Sequence, residues 1–464
     1  MTRKRIFSFD EKGSALIAAI GVMMVLDLFA VAVLAISASQ MTLATTERKT
    51  NQAFNVAEAG FNNALWKIDN IANYAPAESA PDYGSVSGGD YKIVVTDVTG
   101  TTNQKRVEVT GYVPNRYHSN PGRRKIVAMV EVAPKVLSYG MYAFSWIDIQ
   151  GATARTYLAP LDYRASDAKG GDMGSNFDIF FNDAAIRLNE RGTQQGEQNT
   201  YDALFGVPAV PMGDLITAGP TAEVHAVNTV VNTIQELNAK CQYVKMASIK
   251  HMNQPITFPT LNFEGAGGYR EMAQNNFTNG TKYWATEHSG YFTKADFTAL
   301  FSGRNNVELT GMIFIDGEVD LPNNKNLTIT NGGLVIKDDP NDPSQALSLA
   351  NRASLIVRHS SEASKVFPGL IVFTTVGSTA SVVDRGTMEI EGLVYSERTY
   401  SESNSTVRIK GALLASGTSA AASIVNMNAS IIIQYDPNVT NMLGLKTFGD
   451  VFVKKVTSWR EVTP

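Results

Sequence analysis

The apolar run from Ser14 to Ile36 constrains this chain more than any other feature, because only Asp27 interrupts it with a charge. About 20 such residues at ~1.5 Å each cross a ~30 Å hydrocarbon layer. Arg3, Lys4, Arg5 and Lys12 precede the run, and the balanced triplet Glu47-Arg48-Lys49 follows it. That asymmetry predicts a single pass through the inner membrane, with the N-terminus in the cytoplasm and everything after residue 40 on the far side. A cleaved secretory signal is one competing reading, with Ala35-Ile36-Ser37 as its exit. Its apolar core would be longer than the ~7–15 residues such signals carry. A plain one-span anchor is the other.

The helical pattern continues past the apolar run. Phe54, Ala57, Phe61, Leu65, Ile68 and Ile71 recur at steps of three and four, and no proline occurs before Pro76. A helix from Ser14 to Ala72 would be ~85–90 Å long. Its first half is apolar all round and suits lipid or a helical bundle; its second half is striped and suits packing on a domain.

Two separated stretches at the start of the chain carry a family resemblance. Lys12-Gly13-Ser14-Ala15-Leu16 with the apolar run behind it, and Gln52-Ala53-Phe54-Asn55-Val56-Ala57-Glu58-Ala59-Gly60, resemble the N-terminal region of the PilX-type minor pilins of type IV pili. The resemblance covers about the first seventy residues. It implies a basic leader cut after Gly13 by a prepilin peptidase, N-methylation of the new terminus at Ser14, and packing of the helix in a filament core. It also implies, as partners, other pilins and minor pilins, an inner-membrane assembly platform, and the lipid bilayer before assembly. Phe54, Ala57, Glu58, Ala59 and Gly60 are the family-motif positions. Pilins usually carry Glu at the fifth position after the cut, where it neutralises a neighbour's terminal amine; here that position is Ala18. Losing a charge pair in a low-dielectric core argues for a tip or priming place rather than a repeating one. The tip pseudopilin of type II secretion lacks the same Glu. Asp27 is either a charge partner for a neighbouring subunit's amine, or an acid held protonated or turned to a polar groove between helices.

Residues 90–133 alternate in three runs separated by turn-rich stretches, which reads as an antiparallel meander that receives the striped helix. Arg116, His118, Arg123, Arg124 and Lys125 cluster in or beside a turn, as a solvated tip or a phosphate-binding patch.

Further on, a small residue repeatedly precedes three or four apolar ones: Gly311-Met-Ile-Phe-Ile, Gly333-Leu-Val-Ile, Ser354-Leu-Ile-Val, Gly369-Leu-Ile-Val, Gly392-Leu-Val-Tyr, Gly411-Ala-Leu-Leu and Ser430-Ile-Ile-Ile. The starts fall about 15–25 residues apart, within the solenoid range. Strands this short cannot bury themselves, but rungs stacked at ~4.8 Å form a continuous core. The pattern predicts a parallel β-solenoid of about six or seven rungs. An antiparallel sandwich competes with it, though the tight two-residue hairpins it would use are not evident.

The expected fold class is therefore α+β at the N-terminal side, a long helix on an antiparallel meander, followed by an all-β parallel solenoid with a mixed helix-and-loop insertion. The expected boundaries are a leader at 1–13, a helix at 14–72 crossing the membrane at 14–38, the meander at 73–136, a first rung at 137–159, the insertion at 160–305, the solenoid at 306–436, and a tail at 437–464. Within the insertion, Val224, Val227, Val231, Ile234, Leu237 and Cys241 suggest a helical stripe, and Thr293 with Asp296 a capped helix. The tail's Val451–Val462 alternates like a strand that could return to the meander, and its Ser-Trp-Arg-Glu resembles endings of solenoid-bearing pilin-like proteins.

Chemistry is sparse. The net charge of −4 excludes bulk attraction to nucleic acid or acidic lipid, though not a local patch. The single cysteine excludes an intrachain disulfide. Five scattered histidines show no metal spacing, and no Gly-x-Ser-x-Gly elbow or phosphate loop occurs. Asp338, Asp339 and Asp342 form either an acidic turn or a weak Ca²⁺ candidate. Asp316, Glu318 and Asp320 alternate, as acidic rows do in β-helix enzymes, though also on any solvated strand. The sequence points to a non-enzymatic, cofactor-free pilin-like subunit whose large head contacts a surface or DNA. The alternative is an anchored extracellular β-helix enzyme or binding protein acting on polysaccharide.

Overall fold

A computed structural model describes residues 11–71, 74–98, 103–151, 154–160, 172–182, 184–188, 214–218, 222–226, 229–241, 243–246, 248–252, 254–275, 282–338, 346–359, 367–374, 379–416, 423–441, 445–447 and 451–462. The chain divides into two compact units, residues 1–131 with 455–464, and residues 132–454.

The first unit opens with one unbroken helix, Glu11–Asn70, of 60 residues. Its second half lies on an antiparallel sheet in which Asp82–Val86, Gly89–Asp97, Gln104–Val113 and Gly122–Pro134 follow one another. The meander thus has one strand more than the alternation predicts. A fifth place, beside Gly122–Pro134, goes to the terminal strand Val451–Val462. Thr457 donates to the Met129 carbonyl at 3.1 Å, and ion pairs join Lys455 to Glu131 and Arg124 to Glu461. The core-facing row of the sheet is Ile93, Val95, Val107, Val109, Ile126, Ala128 and Val130. The helix meets the sheet through small residues: Ala53, Ala57, Gly60 and Ala64 are buried with Val56, Phe61 and Ile68. Leu65 is half-buried and Ile71 exposed, so the contact stripe is rotated from the one read in the sequence, which shares Ala57, Phe61 and Ile68 with it.

The second unit is a three-sided parallel solenoid. One sheet runs through Tyr291–Thr293, Ile313–Asp316, Leu334–Lys337, Leu370–Phe373, residues 392–397, residues 411–416, Met141–Ala143, Met173–Ser175, Asp214–Ala218 and Ser248–Met252. A second runs from Asn306–Thr310 through Ser430–Tyr435 and Arg155–Pro160 to Tyr243–Lys245. The third runs from Val319–Leu321 through Ile424–Met427, Ile147–Gln150 and Ile179–Asn182 to Val224–Ala226. All these pairs are parallel, which decides against the sandwich.

The order of the coils is a correction to the sequence reading. Residues 137–159 do not begin the stack. They lie in its middle, with 406–435 on one side and 173–188 on the other. Nor is 160–305 an excursion throughout, because most of its described strands continue the three sheets, Thr260–Leu261 pairing instead with Leu445–Thr447. The chain enters at a middle coil, winds to one end, crosses to the other end, and winds back. One coil is completed by Ser430–Tyr435 from late in the chain and by Met141–Ala143 and Ile147–Gln150 from early in it. This adds to the six or seven rungs expected.

The crossing covers about nine inter-strand steps, roughly 43 Å. Residues 254–275 pack against the outer side of the first sheet as they go. Ile256 sits beside Asn176, Phe263 lies 4.4 Å from the Phe373 ring, and Tyr269 packs in the cluster that holds Phe314. The Asn176 amide exchanges hydrogen bonds with the Ile256 backbone at 2.8 and 2.7 Å and accepts from the Tyr142 hydroxyl at 2.9 Å. Strands Ile313–Asp316, Leu334–Lys337 and Leu370–Phe373 of the first sheet are thus buried on both sides, which is why they read as continuous apolar runs. Strands of the other two sheets alternate.

Glycine turns the corner into the first sheet. Gly411 has φ 156°, and a Cβ there would meet the Gly392 carbonyl oxygen at 1.8 Å. At another corner Asn324, Arg352, Arg385, Asn404 and Asn428 all adopt left-handed φ between 49° and 63°, a conformation asparagine tolerates well. Helix Lys294–Leu300, with the Thr293–Asp296 capping box, lends Phe297 and Leu300 to the core at one end. At the other end the expected long helical stripe is absent: Val224 is in a strand, the chain reverses through Thr229–Val230, and only Ile234–Asn238 is helical. Val227 lies outside the described residues. Leu237 and Cys241 are buried there.

Candidate assembly helix and head surfaces

The helix changes character along its length. From Leu16 to Arg48 every residue is exposed, including Leu26 at 61% and Phe29 at 66%. This segment is long and apolar enough to cross a membrane, which is compatible with a single-pass anchor. Ala18 and Asp27 are both exposed on it. Gly13 and Ser14 belong to the helix backbone, and the expected leader's residues 1–10 lie outside the described residues.

The motif positions fall on the docked half. Ala57 and Gly60 are buried, Phe54 and Ala59 half-buried, and Glu58 exposed. A Cβ on Gly60 would stand 2.7 Å from the Tyr91 ring and 2.8 Å from Val109 Cγ1. From the sheet side, a Cβ on Gly111 would stand 2.1 Å from the Ala53 carbonyl oxygen and 2.7 Å from the Ala57 nitrogen. Helix backbone and strand backbone therefore touch at Gly111. Phe54 packs edge-on against Trp459 of the terminal strand, with ring centroids 5.9 Å apart. Asn63 donates to the Tyr91 hydroxyl at 2.5 Å, and Lys67 pairs with Asp82 at 2.6 Å. Gly111 escaped the sequence reading because a glycine inside an alternating strand says nothing about what approaches it.

On the third solenoid sheet, Trp146, Asp148, Gln150, Phe180, Phe181, Asn182 and His225 line a depression of about 260 Å³. Asp148, Phe180 and His225 sit directly opposite one another on neighbouring strands. Phe180 and His225 stack with centroids 4.8 Å apart. His225 Nε2 is 3.6 Å from carboxylate oxygens of both Asp178 and Glu223. Asp148 accepts from the Gln150 amide, and burial pushes its carboxyl above the usual range. The sequence reading took Trp146 to Gln150 as part of a rung. The alternation was visible there, but not which residues would gather on the outward face.

The solenoid also encloses a carboxylate. Glu402 has no exposed surface, and its side chain accepts from the Tyr400 hydroxyl and, at 3.3 Å, from Ser405. Burial pushes its pKa up to about 8.

The other sequence candidates are dispersed. Gly317, at φ 127°, turns the chain between Asp316 and Asp320, so the acidic residues do not share one strand face. Asp316 pairs with Arg270 and accepts from the Tyr291 hydroxyl at 3.0 Å, while Glu318 pairs with Lys294. Asp338 is buried and accepts from Thr374 at 3.0 Å; Asp339 and Asp342 lie outside the described residues. Among the described residues no group of three or more His, Cys, Asp or Glu could hold a metal ion. In the basic loop, Arg116 lies over Tyr83 at 3.7 Å and Tyr117 at 4.6 Å, Arg124 pairs with Glu461 at 2.9 Å, and Lys125 pairs with Glu108.

No model of a known protein family matches the chain, and no curated protein matches it. Among solved structures it is similar to the crystal structure of the competence-associated pilin ComZ from Thermus thermophilus, at 10% identity and a TM-score of 0.20, over 89% of this chain and 97% of that one.

Proposed function

We propose that this chain is a minor pilin, a pilin-like subunit of a type IV pilus or related pseudopilus, that assembles through its N-terminal helix. The observation that carries the reading is the division of one continuous helix: its second half is docked on an antiparallel sheet, and its first half is apolar and exposed on every side. So large an apolar surface calls for lipid, and afterwards for the helices of other subunits. On this reading the chain is inserted in the inner membrane with its N-terminus in the cytoplasm. Prepilin peptidase cuts it after Gly13, Ser14 is methylated, and the assembly platform draws the helix into the filament. Ala18 in place of an acid, together with a large solenoid head, favours a tip or priming position.

The head is proposed to bind rather than catalyse. Two of the three acidic residues that would suit a β-helix enzyme are already ion-paired, Asp316 with Arg270 and Glu318 with Lys294. Surface adhesion is the favoured role. Nucleic-acid capture would rest instead on the Arg116–Tyr83–Tyr117 stack.

Co-expression with a prepilin peptidase, followed by mass spectrometry of the membrane-extracted chain, tests the reading. A mature terminus at methylated Ser14 is expected. An intact leader, or cleavage near Ser37, would overturn it.

A further inference from the structure

The depression on the third sheet combines aromatic walls with a few convergent polar groups, the usual make-up of a small-ligand site. Its volume of about 260 Å³ is near the lower end of the ~300–1,000 Å³ such sites span. Trp146, Phe180 and His225 supply rings. Gln150 and Asn182 supply both donors and acceptors, and Asp148 supplies an acceptor whose second oxygen has no partner among the described residues. Among the described residues no lysine or arginine lines the depression, and Asp178 and Glu223 put further negative charge beside His225. Phosphate or uronate polymers would be repelled. An uncharged ligand with apolar C–H faces and vicinal hydroxyls, each both donor and acceptor, matches every wall. Parallel pairing fixes Asp148, Phe180 and His225 at the ~4.8 Å strand spacing, so the groups are held on a rigid platform.

We propose that this depression binds one or two pyranose rings of an uncharged surface glycan. The proposal rests on the head being displayed outside the membrane, as the pilin reading requires, and supplies the ligand class for its adhesion.

Isothermal titration of the full chain in detergent tests it, with cellohexaose and chitohexaose as neutral probes, and hexagalacturonate and a thymidine dodecamer as charged ones. Saturable binding to at least one neutral hexasaccharide is expected, with no binding of either charged probe. Asp148→Asn or Phe180→Ala should weaken that affinity about tenfold, the size of a lost charge-assisted hydrogen bond or aromatic contact. Both side chains point outward, so the thermal transition should stay in place. Failure of both neutral probes to bind would overturn the site. So would unchanged affinity in both variants, or binding of a charged probe as tight as that of a neutral one. This result is independent of the N-terminal processing assay: sugar binding by a chain with an intact leader would keep the site and end the filament reading.

Discussion

The leading half of the helix and the interior of the solenoid depart from ordinary burial in opposite directions. The helix leaves Leu16, Leu26, Leu28 and Phe29 open to solvent. The solenoid encloses the Glu402 carboxyl completely. Either arrangement costs free energy unless something offsets it. For Glu402 the offset is internal, in the hydroxyls of Tyr400 and Ser405 and in a carboxyl held neutral. For the helix nothing among the described residues of the first unit supplies it, and the proposed function assigns that compensation to lipid or another subunit. An uncompensated surface marks where a protein expects a partner; a compensated buried polar group does not.

Four measurements probe that contrast, beginning with the largest effect. Leu26→Arg with Leu28→Arg should cost about 5–7 kcal/mol of membrane insertion and move the chain out of the membrane fraction. Unfolding of the sheet, followed by tryptophan fluorescence, should not change. A shift in that unfolding would mean the leading half is already partnered within the chain.

The second concerns Glu402. Its folded pKa, about 8, is above its ordinary value of 4.5. The neutral form is therefore favoured by folding. That contribution is fully present below pH 4.5 and is lost as pH rises through about 8. Between those limits the unfolded chain has released the proton and the folded chain has not, so stability falls by about 1.4 kcal/mol per unit. Glu402→Gln should match the parent at pH 4 and exceed it above pH 8 by on the order of 5 kcal/mol. Parallel denaturation curves at every pH would show that the carboxyl is not enclosed.

Gly111→Val comes third. It pushes a side chain into the helix backbone at Ala53 and should destabilise the first unit by about 3 kcal/mol in denaturant titration. The smallest effect is expected for Trp459→Ala, which removes the edge-on contact with Phe54 and should cost about 1 kcal/mol.

How much was legible in the sequence differs between the two units. In the first, apart from the terminal strand Val451–Val462, neighbours in the chain are neighbours in space, so the striped helix and the alternating strands could be read directly. The exceptions are telling. Ala53, Gly60 and Ala64 lack the bulk that marks a core residue, and Gly111 acts through an absent side chain. In the solenoid the apolar runs were legible and their order was not. A three-residue strand such as Met141–Ala143 carries no record of which strand it will neighbour, and Leu413 lies opposite Met141 because of the chain's path. The depression escaped notice for the same reason. Trp146, Phe180 and His225 are far apart in sequence and meet only when successive coils are stacked.

The sequence by itself determined the membrane-length apolar helix and the presence of stacked apolar strands, because solvent sorts residues by polarity and period before any long-range contact forms. Only the tertiary structure decided that early and late segments complete one coil, that a strap covers one sheet on its outer side, and that the third sheet's outward residues form a lined depression. Those outcomes depend on pairings between distant segments, and backbone hydrogen bonds between parallel strands are the same whichever strand supplies them.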